Sequence, residues 1–173
     1  RDGASADLGH LLRESCPNLT ILRVETRTDA PPLPAGMFYL LHGLEGRPSL
    51  RMLALMGYSL SFAISNIARL KHLQTLSLST PDVLDLSPLH LPGLVKLIIT
   101  QFGAEVAAQD VPIEGLPAAV ARSPQLLVLD IPTAPLTPGL ITVLPPTLKT
   151  LVLFDAPMRV LKQLLSRAAT SLP

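Results

Sequence analysis

The chain has 173 residues, of which 48% are hydrophobic and 16% charged, with a formal net charge of +1. That composition is too apolar for a disordered chain, and a single cysteine, Cys16, excludes an internal disulfide and points to a reducing, intracellular compartment. Lysine and arginine form no cluster along the sequence of the kind that neutralises phosphates, so nucleic acid is not an expected partner.

Leucine makes up about a fifth of the chain, and much of it falls in one recurring six-residue phrase, L-x-x-L-x-L. Residues 1–15 carry Leu8, Leu11 and Leu12 and are expected to form a helical flank. The phrase then opens at Leu19, Leu22 and Val24. Met37, Leu40, Leu41 and Leu44 follow at i, i+3, i+4 and i+7, which predicts a helix. Leu50, Leu53 and Leu55 repeat the phrase. Leu60, Ala63, Ile64 and Ile67 predict a second helix, with Ser59 as its N-cap. Leu73, Leu76 and Leu78, then Leu94, Leu97 and Ile99, give the phrase twice more. Between them, Ser79 to Pro92 is broken by proline and is expected to hold only brief turns. Pro117 opens a predicted helix that ends near Arg122. Leu126, Leu129 and Ile131 make the fifth phrase; Pro132 to Pro145 is again expected to be turns; Leu148, Leu151 and Leu153 make the sixth. Residues 157–173 form the second flank. Met158 to Ala169 is an expected helix with Leu161, Leu164, Leu165 and Ala168 on one face, either capping the last phrase or meeting an anionic membrane or a partner groove.

Five of the six phrases are preceded by proline at one offset, namely Pro17, Pro48, Pro92, Pro124 and Pro146; the third has Lys71-His72 there. Met52 to Ala68 is free of charge, but as one strand plus one helix it needs no membrane. Asn18-Leu19-Thr20 is a formal glycosylation sequon inside a packed phrase. The chain begins with Arg1, as a processed product or a piece of a longer protein does.

Catalytic chemistry is not expected. His10, His42, His72 and His90 lack metal-ligand spacing. Gly43-Leu44-Glu45-Gly46 lacks the Lys-Ser/Thr of a phosphate loop. The carboxylates are dispersed, with no pair at a spacing for acid–base work. No cofactor and no metal is expected.

The first leucines of successive phrases are 31, 23, 21, 32 and 22 residues apart. The chain therefore resembles the leucine-rich repeat family, whose period is roughly 20–29 residues. The resemblance implies an α/β fold: a single solenoid domain of about six repeats over residues 1–173. In it a curved parallel sheet lines the concave side, and short helices and turns form the convex side. Cys16 to Leu22 is similar to repeat starts in F-box-type substrate receptors of ubiquitin ligases; Ile67 to Leu76 looks like repeats of plant nucleotide-binding immune receptors. Three residues past each last leucine, where the family carries Asn or Cys, stand Arg27, Tyr58, Pro81, Phe102, Ala134 and Ala156. That departure removes the family's side-chain ladder.

In such a fold the second and third leucines of each phrase are expected to be inaccessible, and the residues between them face outward on the concave side. Polar in its middle, that face is expected to be apolar towards its C-terminal end. Ile98, Val128, Asp130, Val152, Phe154, Lys96 and Arg23 are the candidate partner-binding residues, because apolar clusters left in water mark interaction sites. The expected function is non-catalytic protein–protein recognition, as in the substrate-recognition module of a larger protein. The alternative is a structural subunit built permanently into a large assembly. A third reading, regulation of a small GTPase, would use Arg23 or Arg51.

Overall fold

In the computed structural model of the chain, each repeated phrase starts in a turn and runs into a strand. The structure describes residues 12, 14–25, 40–45, 47–57, 60–81, 83–102, 113–132, 137–153, 162 and 166. The two residues before every first leucine are in a turn. The amide of the leucine closes it by donating to the carbonyl three residues back. This holds for Leu19 to Cys16 (3.1 Å), Leu73 to Leu70 (3.0 Å), Leu94 to Leu91 (3.0 Å), Leu126 to Ser123 (3.0 Å) and Leu148 to Pro145 (3.1 Å). The recurrent proline thus stands at the second position of a β-turn, where its ring presets the required φ. Lys71 takes that position in the third phrase.

Past the turn the chain extends. The strands are β1 (Ile21–Glu25), β2 (Met52–Met56), β3 (Thr75–Thr80), β4 (Lys96–Gln101), β5 (Val128–Ile131) and β6 (Thr150–Leu153). They form one six-stranded sheet in the order β1-β2-β3-β4-β5-β6. Every neighbouring pair is parallel, and the phrases pair in step: Leu22, Leu53, Leu76, Leu97, Leu129 and Leu151 are successive register partners. One residue ahead of the strands the ladder is already set. The amides of Arg51, Gln74, Val95, Leu127 and Lys149 each donate at 2.8 Å to the corresponding carbonyl of the phrase before.

Because side chains alternate across a strand, the second and third leucines of each phrase share one face. Leu53, Leu55, Leu76, Leu78, Leu97, Ile99, Leu129 and Ile131 are buried there. The connections cover them. Residues 40–44 are helical, with Leu40, Leu41 and Leu44 buried, as their spacing predicts; Met37 lies outside the described residues. The helix expected on Leu60, Ala63, Ile64 and Ile67 begins as a 3₁₀ turn, Ser61–Ala63, and continues as α-helix over Ile64–Ile67, with Leu60, Ala63, Ile64 and Ile67 all buried. Leu60 is its N-cap residue and supplies no side-chain bond; the expected cap, Ser59, lies outside the described residues. The Pro117 helix spans Leu116–Ala121 and ends at Arg122.

Two expectations are corrected. The stretch Pro132 to Pro145 contains more than turns, because Pro138–Val143 is a helix. Proline starts it: at the first helical position its missing N–H costs nothing. Thr137 supplies the cap, its side chain accepting from the Leu140 amide at 3.2 Å. Second, the leucines of the two end strands are not closed off. Leu22, Val24, Leu151 and Leu153 are half-buried, since an end strand has a sheet neighbour on one side alone.

The family's Asn ladder is absent at Pro81 and Phe102; Arg27, Tyr58, Ala134 and Ala156 lie outside the described residues. Carbonyls are satisfied instead at the turns. Ser49 donates to the Pro17 carbonyl (3.1 Å) and Thr147 to the Pro124 carbonyl (2.9 Å), the same offset in the first and last interfaces. Arg47 donates to the Cys16 carbonyl at 2.6 Å and also to that of Leu12. Ser123 donates to the carbonyls of Ala119 at 2.9 Å and Leu91 at 3.4 Å. The connections after β3 and β4 also meet: Asp85 and Glu114 form a parallel bridge, with Glu114 N–H to the Leu84 carbonyl at 3.0 Å and Leu86 N–H to that of Glu114 at 2.8 Å. Of the flanks, Leu12, Glu14, Ser15, Lys162 and Ser166 are described, and all are helical. Met52 to Ala68 divides between β2 and the following helix. No helix among the described residues is long and apolar enough to cross a membrane.

Candidate functional site

The sheet has a second face, and it is open. Its side chains are those that alternate with the buried leucines, and the register aligns them into three rows. Ile21, Met52, Thr75, Lys96, Val128 and Thr150 make the first. Arg23, Ala54, Ser77, Ile98, Asp130 and Val152 make the second. Glu25, Met56, Ser79 and Thr100 make the third. All are half-buried or exposed, whereas their in-strand neighbours on β2 to β5 are buried.

The structure brings most of the predicted site residues together. Lys96 pairs with Val128, and Ile98 with Asp130, which in turn pairs with Val152. Ile98 and Val152 therefore flank the Asp130 carboxylate in one row, and Val128 stands two residues earlier on the same face of β5. Val152 is 39% exposed. Phe154 lies outside the described residues. Arg23 is apart from the group. It sits on β1, four strands from Asp130, or about 19 Å at the usual strand spacing. Its guanidinium is held by Glu25 on its own strand, Nε to Oε1 at 2.7 Å.

Sequence reasoning placed the apolar surface at the C-terminal end only. The structure shows it at both ends. Ile21, 57% exposed, pairs with Met52, and Met56, 40% exposed, stands four residues further along β2 with Ala54 between. The signal lay in the intervening residues of the first two phrases, which are as apolar as those of the last two. Between the two ends runs a column of hydroxyls, Thr75, Ser77 and Ser79 on β3, joined by Thr100 on β4.

Among the described residues no group of three or more His, Cys, Asp or Glu side chains is placed to hold a metal. Asp85, whose pKa lies below the ordinary carboxylate value because the Ser87 hydroxyl and amide donate to it, belongs to the connection after β3 and is exposed. The Ser87 amide bond, 2.8 Å long, closes an Asx turn there. What the open face offers is shape and contact: short side chains in straight rows, apolar at each end and hydroxylic between. Comparison of the chain with protein-family models, with curated proteins and with solved structures gives no match.

Proposed function

We propose that the chain is a leucine-rich repeat solenoid that binds a partner protein, without catalysis, through the open face of its sheet. The observation that carries this is the set of three in-register rows, with exposed Ile21, Met56 and Val152 left uncovered on a rigid sheet. Apolar side chains held in water on a preorganised surface favour association, because little ordering is required when a partner arrives. The solenoid reading is supported by the phrase itself, by the strand order matching the chain order, and by helical or turn connections between successive strands. On that reading the open face is the concave one. Ile98, Val128, Asp130 and Val152, with Lys96, form one contact end; Ile21, Met52 and Met56 with Arg23 form the other. The alternative role, a subunit fixed in a large assembly, uses the same face as a permanent interface.

Val128→Asp with Val152→Asp tests this. Both positions are on the open face, so the circular dichroism and urea midpoint should stay near those of the unaltered chain. Capture of partner proteins should fall by about tenfold or more, since a truncated central anchor costs about 2 kcal/mol. Unchanged capture by the double variant would move the recognition surface elsewhere. Sedimentation separates the two roles: a recognition module is a soluble monomer, and an embedded subunit precipitates without its neighbours.

A further inference from the structure

The turns that lead into the strands carry cations and no acids. Residues 47–51, 69–74, 90–95, 122–127 and 145–149 contain Arg47, Arg51, Arg69, Lys71, Arg122 and Lys149, with His72 and His90, and no aspartate or glutamate. Lys96 is the first residue of β4. Along the sequence these charges are scattered. The parallel, in-register sheet gathers them, because it brings every strand entry to one rim. Side-chain hydrogen bonds show that neighbouring turns are within reach of one another. Arg51 donates to the His72 carbonyl at 3.2 Å, and Lys71 to that of His90 at 3.0 Å. Arg51, Lys71, His72, His90 and Lys149 are exposed, and Lys96 is half-buried.

Among the described residues, Arg69 alone of these rim cations is paired with an acid. The ion pairs of the described residues are Arg23–Glu25, His42–Glu45 and Arg69–Glu45. Arg51, Lys71, Lys96 and Lys149 take part in none of them. Bonds to carbonyls satisfy donors of Arg51 and Lys71 but leave the positive charge in place. Several acids fall at the other end of the strands: Glu25 closes β1, and Asp85 and Glu114 bridge the connections after β3 and β4. A net charge of +1 conceals this division.

We propose that the strand-entry rim, through Arg51, Lys71, Lys96 and Lys149, binds an acidic segment of a partner protein in extended form. From β2 to β6 is four strand spacings, about 19 Å, which about six extended residues span. Charge complementarity selects carboxylates. A nucleic acid fits less well, because single strands stack on aromatic side chains and the five rim turns contain no Phe, Tyr or Trp. An anionic membrane fits less well too: the leucines of these turns are buried except Leu127 and Leu148, which are half-buried, and this leaves little apolar surface to insert. The rim adjoins the open face and shares Lys96 with it, but Arg51, Lys71 and Lys149 lie outside the three rows of that face, so either proposal can fail without the other.

The test is a fluorescence anisotropy titration of the full chain with a labelled octamer of glutamate. A serine–glycine octamer, an oligothymidine of matched length and phosphatidylserine vesicles serve as comparisons. The glutamate peptide should bind, and added salt should weaken binding by about tenfold, as screening of exposed charges requires. Lys96→Gln with Lys149→Gln removes no side-chain bond seen in the structure and should weaken binding by about tenfold. Adding Arg51→Gln and Lys71→Gln should abolish it, while Lys162→Gln, on the C-terminal flank, should change nothing. Equal binding by the double variant, or no binding of the peptide, overturns the proposal. Tighter binding of the oligonucleotide or the vesicles overturns it in favour of those partners. Salt-sensitive self-association that the double variant abolishes would assign the rim to a second copy of this chain.

Discussion

Leu76 and Leu22 stand at the same place in the phrase and differ only in their neighbours. Leu76, on β3, has strands on both sides and is fully buried; Leu22, on the end strand β1, is half-buried. The physical consequence is a gradient of cost along one column of leucines. Leu76→Ala opens a cavity that its neighbours cannot fill and should cost about 2–5 kcal/mol in urea melting. Leu22→Ala should cost roughly half as much or less, since part of that side chain is already in water. A loss below about 1 kcal/mol for Leu76→Ala, the range of surface changes, would contradict the register. Gly93 permits a change in the opposite direction. It occupies the turn position at which Ser49 and Thr147 bond the carbonyl of the phrase before. A Cβ there would lie 3.7 Å from the equivalent carbonyl, that of Lys71, in ordinary contact. Gly93→Ser should therefore raise stability by about 0.4–1 kcal/mol, through a less flexible unfolded chain and the missing hydroxyl. A lower melting temperature would show that the turn needs glycine.

At the scale of elements, the turn is what makes the phrase a unit. Proline at its second position directs the chain into the strand, and the strand has its register before its first side chain packs. The connections differ in kind. The helix Leu116–Ala121 starts at Gly115, whose φ of 68° lies in the left-handed region. Here glycine is required twice over: an added Cβ would also stand 2.2 Å from the Ser87 amide nitrogen. Gly115→Ala should cost upwards of about 2 kcal/mol and loosen the Asp85–Glu114 bridge. Hydrogen exchange at the Leu86 and Glu114 amides would read that loosening directly; unchanged protection would mean that the connections are held by their buried leucines alone.

For the whole molecule, regular stacking decides which distant residues meet. Ile98, Asp130 and Val152 are spread over 55 residues of sequence and share one row. Ile21 and Met56, 35 residues apart in number, lie on the two neighbouring strands of the opposite end. The two ends are separated by the hydroxyl column of β3, so a partner that engages both must span most of the sheet. The Val128→Asp, Val152→Asp variant perturbs one end only. If it lowers capture partially, and Met56→Asp lowers what remains, the partner covers the full face.

The sequence alone determined what is local. Spaced leucines set the strands and their buried side, the proline offset set the turns, and the i, i+3, i+4 stripes set the helices at 40–44 and after Leu60. These signals act within a few residues, where sterics and alternation leave few choices. It missed the Pro138–Val143 helix, because proline reads as a breaker unless the capping Thr137 before it is weighed as well. What only the tertiary structure decided is which side chains become neighbours across strands: the apolar end at Ile21, Met52 and Met56, the isolation of Arg23 from Asp130, and the line of cations at the strand entries. Those depend on strand order and register, which are fixed when leucines of separate phrases pack into one core, and no short window of sequence contains them.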